Sequence, residues 1–155
     1  MSELNIGDAV PSFKLPSDGG VDIDIQDLRG KNVVIYFYPK DDTPGCTIEA
    51  KDFTCKLDDF KTLNVEVLGI SKDDLKRHEK FRNKYALEHI LLSDVTGEVC
   101  EKFGCWVEKS MYGKKYMGIA RKTFLIDKNG IIKKIWPAVK IDGHVDEVLQ
   151  AIGEL

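Results

Sequence analysis

Val33-Val34-Ile35-Tyr36-Phe37-Tyr38 is the longest unbroken apolar run in the chain. Successive side chains of a strand point to opposite faces, so a β-branched and aromatic run over Lys31–Tyr38 predicts a strand covered on both sides. The run is also far shorter than the roughly 20 residues a membrane-spanning helix needs. Length bounds the rest. The chain has 155 residues, 43% apolar and 9% aromatic, which predicts a single domain over 1–155 with a sizeable core and excludes wholesale disorder. Lys and Arg number 23 against 26 Asp and Glu, a net charge of −3, and neither half is a basic block. Neither nucleic acid nor an anionic membrane is therefore expected as the main partner, since both require concentrated Lys and Arg. Met1-Ser2-Glu3-Leu4-Asn5 has no basic stretch and no apolar core, so no secretory signal is expected and the expected location is cytoplasmic.

In a reducing compartment the four cysteines, Cys46, Cys55, Cys100 and Cys105, are small buried residues, metal ligands or reactive thiols rather than structural disulfides. Zinc prefers cysteine pairs two to four residues apart with a second pair or histidines in support. Cys100 and Cys105 come nearest, but five residues along a helix turn them about 140° apart. His78, His89 and His144 show no ligand spacing either, and no metal is expected.

Strands and helices alternate along the first two thirds of the chain. Val21–Ile25 has the period of a half-buried strand. A helix over about 46–60 places Ala50, Phe53, Leu57 and Phe60 on one face. Val65–Ile70 is a second buried strand, Asp73–Leu87 a charged helix with Leu75, Phe81 and Tyr85 inward, Ile90–Leu92 a third strand, and Gly97–Phe103 a short helix. Cys105–Ala120 fits no element and reads as a long loop, which in a compact domain is often functional. Thr123–Ile126 and Ile131–Ile135 flank Asn129-Gly130, a strong hairpin signal that predicts an antiparallel pair. A closing helix over about Val145–Ile152 carries Val145, Val148, Leu149 and Ile152 on one face. Parallel βαβ units followed by a hairpin and a helix give an α/β class, in the order of a thioredoxin-like fold with a mixed central β-sheet flanked by helices.

The segment Pro39-Lys40-Asp41-Asp42-Thr43-Pro44-Gly45-Cys46 leaves the C-terminal end of the buried strand, where open α/β sheets place ligands. Thr43 and Pro44 read as N-cap and first residue of a helix, which puts Cys46 in its first turn. Unpaired amides and the positive end of the helix dipole favour an anion there. Cysteines so placed have pKa values lowered from about 8.5 to roughly 3.5–7.5. The pattern predicts a nucleophilic thiol, although a well-capped helix with a small cysteine in its first turn has the same spacing.

Pro39-x-x-x-Thr43-x-x-Cys46 resembles the active-site motif of the peroxiredoxins. The stretch Phe37–Thr47 is similar to their bacterioferritin comigratory protein, or PrxQ, branch, and the likeness continues in Gly7–Phe13, Leu91–Asp94 and Gly118–Asp127. The resemblance implies cysteine-dependent reduction of hydrogen peroxide and organic hydroperoxides without metal or cofactor. Thioredoxin or a similar thiol is implied as reductant, and a monomer, at most a weak dimer, is expected. By position Cys46 becomes the peroxidatic cysteine, Thr43 supplies a hydroxyl to thiolate and peroxide, Pro39 shields the pocket, and Arg121 reaches the thiolate from a distant strand. Glu49 is a candidate to orient Arg121, though a solvated first-turn glutamate fits equally. The stretch 106–122 sets Lys109, Lys114, Lys115, Arg121 and Lys122 against Glu108 alone. Such a basic loop could act on the thiolate through space, but screening favours a merely solvated one. Trp106 and Trp136 read as packing residues.

Many members of the branch carry a resolving cysteine five residues after the peroxidatic one, where this chain has Lys51. Cys55 lies nine residues on, about 13 Å along an intact helix, whereas disulfide Cα atoms lie within about 7 Å. The resolving step thus stays open between a local unfolding that brings in Cys55, Cys100 or Cys105 and a one-cysteine cycle, the latter favoured. A thiol–disulfide oxidoreductase would want Cys-x-x-Cys at this helix start, which is missing. A thiol sensor or holdase chaperone using Cys46 without turnover is the alternative function.

Overall fold

A computed structural model describes residues 4–155; the N-terminal expectation rests partly on residues 1–3, which lie outside that range. β1 (Lys14–Pro16) pairs antiparallel with β2 (Asp22–Asp24), and a 3-10 turn follows at Ile25–Leu28. The strand expected near residue 23 therefore exists, but it belongs to a small hairpin outside the main sheet. Then come β3 (Asn32–Phe37), α1 (Pro44–Cys55), α2 (Leu57–Thr62), β4 (Val65–Ser71), α3 (Leu75–Tyr85), β5 (Ile90–Ser93) and α4 (Glu98–Lys102). β6 (Trp106–Met111), β7 (Lys114–Ile119), β8 (Lys122–Ile126), β9 (Ile132–Trp136) and α5 (His144–Gly153) complete the chain. The central sheet runs β5-β4-β3-β8-β9, with β5, β4 and β3 parallel and β8 and β9 antiparallel to their neighbours. It is the mixed sheet of the thioredoxin-like arrangement, with β3 at its centre.

Residues 33–38 are all buried, and their alternation divides the core in two. Val33, Ile35 and Phe37 face a layer with Phe103, Cys100, Cys105 and Phe124. Val34, Tyr36 and Tyr38 face the opposite layer, built from Cys46, Phe53, Phe60, Phe81, Val145 and Val148. Cys46 is therefore separated by the sheet from Cys100 and Cys105. No described helix is long and apolar enough to cross a membrane.

Three expectations need correction. The helix over 46–60 breaks at Lys56 into α1 and α2. The rings of Phe53 and Phe60, one on each side of the break, lie 5.8 Å apart. Leu75 is exposed rather than inward; the inner stripe of α3 starts one turn later at His78, which finds buried partners in Asp41 and the Leu92 carbonyl. Residues 105–120 are not a loop but largely the antiparallel hairpin β6–β7. Most of its side chains are exposed or half-buried on both faces, so no apolar period announces it. Its turn, Tyr112-Gly113, has positive φ at both residues (52° and 79°), the geometry of a two-residue hairpin turn, but Tyr is an uncommon choice there.

Candidate active site

β3 delivers the chain to residues 39–43, and α1 starts at Pro44 with Thr43 as N-cap in extended backbone (φ −101°, ψ 155°). The Thr43 hydroxyl caps no amide; it donates to the Lys40 carbonyl at 2.8 Å, which tightens the turn and leaves its oxygen free to accept. The first helical hydrogen bond runs from Thr47 N to Thr43 O, 2.9 Å. The amides of Gly45 and Cys46 stand before that bond, at the positive end of the helix. Cys46 itself is 1% exposed. Pro39 is half-buried where β3 ends.

β8 is antiparallel to β3, with Phe37 opposite Lys122. The start of β8 thus lies beside the end of β3, and Arg121, just before β8, reaches the start of α1. Its Nη2 donates to Cys46 Sγ at 3.2 Å and its Nη1 to Glu49 Oε1 at 2.7 Å. Cys46 and Glu49 are three residues apart on one helix face, so one guanidinium spans both. Glu49 is not solvated: its side chain is 0% exposed. Burial, working against the Arg121 charge, raises its pKa from 4.5 to about 7. Its Oε2 is buried with no hydrogen-bond partner among the described residues.

Gly45 makes the approach of the guanidinium possible. A Cβ there would lie 2.9 Å from Ile141 Cδ1 and 3.3 Å from Arg121 Nη2. Gly45→Ala should push Arg121 off the sulfur and slow thiol oxidation by about 10-fold or more, because even small misplacements of a charged donor are costly. Stopped-flow oxidation of the purified variant measures this, and an unchanged rate would show that Ile141 alone gives way.

A buried cysteine, a guanidinium on its sulfur and a threonine one turn earlier thus meet at one helix start. The AhpC/TSA family model matches residues 6–135. Peroxiredoxin Bcp of Escherichia coli K12 is 43% identical over 154 residues, covering 99% of each chain. This chain belongs to the AhpC/TSA family, among its Bcp peroxiredoxins. Solved structures agree. The bacterioferritin comigratory protein of Xanthomonas campestris superposes with a TM-score of 0.88 at 38% identity, covering 95% of this chain and 98% of that one. A cysteine-to-serine mutant of Xylella fastidiosa PrxQ gives 0.94 at 36% identity, covering 99% and 98%.

The peroxiredoxin's other cysteines lack the Arg121 contact that Cys46 has. Cys55 is exposed at the last turn of α1. Cys100 and Cys105 are 0% exposed; burial, with Asp94 nearby, pushes the Cys100 thiol far up, and burial pushes Cys105 up to about 12. Of the basic stretch, Lys114 and Lys115 are exposed while Lys109 is half-buried. Burial and then the charge of Arg121 lower the Lys109 pKa, so only this lysine of the hairpin bears on the site. Both tryptophans pack against core layers, as expected of them.

Sequence reasoning missed one group. Asp41, Asp73 and His78 bring ligand-capable atoms within 4.8 Å of one another, all buried. Every one of those atoms already has a protein hydrogen-bond partner, so the cluster is a hydrogen-bonded network rather than a metal centre. No ligand-type spacing connects the three residues in the sequence.

Proposed function

We propose that this thiol-dependent peroxidase reduces hydrogen peroxide and organic hydroperoxides through Cys46, and the observation that carries the reading is the Arg121 guanidinium shared between Cys46 Sγ and Glu49. The thiolate attacks one peroxide oxygen in line; an S–O bond forms and the O–O bond breaks. Sulfur loses two electrons to become a sulfenic acid, and the departing oxygen takes a proton to leave as water or an alcohol. Negative charge moves from sulfur to that oxygen, and donors fixed in advance stabilise it most. Arg121 and the amides of Gly45 and Cys46 supply them. The Thr43 oxygen, its own hydrogen committed to Lys40, accepts from the peroxide O–H, and Pro39 screens the thiolate from water. The Xanthomonas relative's described alkyl peroxide reduction activity supports organic hydroperoxides as substrates.

Regeneration uses an external thiol, with thioredoxin or a similar cytoplasmic thiol the proposed reductant and a monomer the proposed working state. One thiol displaces the sulfenic hydroxyl as water and forms a mixed disulfide; a second thiol releases Cys46. The geometry supports this one-cysteine cycle. Reaching Cys55 would unwind α1, and the burial of Ala50 and Phe53 opposes that, by roughly 1.5–3 kcal/mol for the phenyl group alone. Cys100 and Cys105 lie across the sheet.

A variant with Cys55, Cys100 and Cys105 all replaced by Ser should therefore keep consuming peroxide catalytically in dithiothreitol, with Cys46 open to trapping by dimedone between turnovers. Rapid and complete formation of one intramolecular disulfide from Cys46 in the unmodified chain, seen by non-reducing peptide mapping, would overturn the one-cysteine cycle. Consumption that stops at one peroxide per chain would instead describe a thiol sensor or holdase.

A further inference from the structure

We infer that the buried Asp41–His78 pair is a positioning device that clamps residues 39–43 onto α3 and so holds Thr43 and Cys46 in register with Arg121. The inference rests on Cys46 being the reacting thiol.

Asp41 lies two residues before Thr43 and five before Cys46, in the segment that crosses from β3 to α1. Its carboxylate is 3% exposed and accepts from Tyr38 Oη at 2.6 Å and from His78 Nδ1 at 2.6 Å. His78, 0% exposed, turns its other ring nitrogen to the Leu92 carbonyl at 2.9 Å. A backbone carbonyl only accepts, so Nε2 carries a hydrogen; Nδ1 faces a carboxylate, so it carries one too. The ring is then a buried imidazolium bonded to loop and sheet at once. Burial alone would lower its pKa, but the hydrogen bond and charge of Asp41, the Leu92 carbonyl and the charge of Asp73 together raise it.

The same segment is held at two more points. The Asp41 amide donates to Asp73 Oδ2 at 2.8 Å, and that carboxylate is fixed by Ser71 Oγ (2.7 Å) and Arg77 Nε (2.9 Å). Asp42, in left-handed backbone at φ 58°, accepts from Tyr85 Oη at 2.6 Å and Lys84 Nζ at 2.8 Å. All three attachments come from α3 or the residues just before it. None touches the sulfur. Their common effect is that the start of α1 cannot shift without breaking a buried charged hydrogen bond, and shifts of about 1 Å can cost about 100-fold in rate.

The pH dependence has a definite sign. A histidine whose folded pKa is raised contributes fully below its ordinary value of about 6.5. That contribution is lost as pH rises through the raised folded value. The groups that face His78 are Asp41 from the loop, Asp73 ahead of α3, Tyr38 just after β3 and the Leu92 carbonyl from β5; Arg77 pairs with Asp73 and not with the ring. An alkaline decline in peroxide reactivity is expected of the unmodified chain.

The experiment compares two reactions of Cys46 in Asp41→Ala and His78→Gln. Reaction with peroxide needs the whole arrangement, whereas alkylation by iodoacetamide needs only the thiolate. Stopped-flow oxidation should fall about 100-fold near pH 7, alkylation should change far less, and the alkaline decline should vanish in His78→Gln. Unmodified peroxide rates in both variants, or equal losses in both reactions, would overturn the inference. Should these buried variants not fold, the surface double variant Lys84→Ala/Tyr85→Phe reads the same segment. It removes both exposed hydrogen bonds to Asp42 and should lose about five-fold in peroxide rate, the order such hydrogen bonds carry, and an unchanged rate there would refute the clamp. Cys46→Ser, run alongside, separates the two levels: residual peroxide consumption in that variant removes the reading of the site itself, whereas a dead Cys46→Ser beside fully active clamp variants removes only the clamp.

Discussion

Cys46→Ser should abolish peroxide turnover while leaving the melting temperature within a few degrees of the unmodified chain. Serine nearly matches cysteine in volume, and the site at the start of α1 offers its hydroxyl the same guanidinium. An alcohol, however, does not ionise near neutral pH, and it cannot be oxidised to a sulfenic acid. Cys55 is exposed but sits at the far end of α1, away from Arg121. Cys100 and Cys105 are buried, with thiols pushed to high pKa. None of the three can stand in. Peroxide consumption above a few per cent of the unmodified chain, measured with dithiothreitol as reductant, would show that the reacting thiol lies elsewhere.

Arg121→Lys should slow the second-order reaction with peroxide by about 100- to 1000-fold, the usual cost of one preorganised donor. Lysine keeps the charge but presents a single nitrogen, which cannot meet Cys46 Sγ and Glu49 Oε1 together as Nη2 and Nη1 do. The fold should tolerate the change, because lysine keeps a positive charge beside the buried Glu49 carboxyl. A rate constant equal to that of the unmodified chain would make Arg121 a scaffold residue. The shared carboxylate also orients the pair: Glu49 Oε1 holds Nη1, and the planar guanidinium then points Nη2 at the sulfur.

How much of this was legible beforehand depended on whether the signal was local. The run at 33–38 announced a strand covered on both faces because its apolar character is continuous, and β3 is the centre of the sheet. Asn129-Gly130 announced the β8–β9 hairpin through turn chemistry. The hairpin at 106–119 was invisible for the converse reason: its side chains largely face solvent on both sides, and Tyr112-Gly113 is a poor turn advertisement. The break at Lys56 was hidden because Leu57 and Phe60 continue the apolar stripe of α1 across it.

The site divides along the same line. Thr43, Pro44 and Cys46 are consecutive features of one helix start and could be read directly. Arg121 came only through family resemblance, since nothing local marks an arginine before a strand as facing a thiol 75 positions away. Glu49 was balanced between two readings because a first-turn glutamate is ordinary, and only its complete burial decides between them. Gly45 and the Asp41–His78 pair belong to the tertiary arrangement alone. A missing Cβ matters only once Arg121 lies over it, and a buried imidazolium is recognised only by the two acceptors that flank its ring.

The central claim is that peroxide oxygen goes to the sulfur of Cys46. One equivalent of hydrogen peroxide, followed at once by dimedone and by mass spectrometry of the tryptic peptides, tests it directly. The account predicts the dimedone adduct on the Cys46 peptide, close to stoichiometric, with the peptides of Cys55, Cys100 and Cys105 unmodified. Adducts on any of those three, with Cys46 still a free thiol, would contradict it.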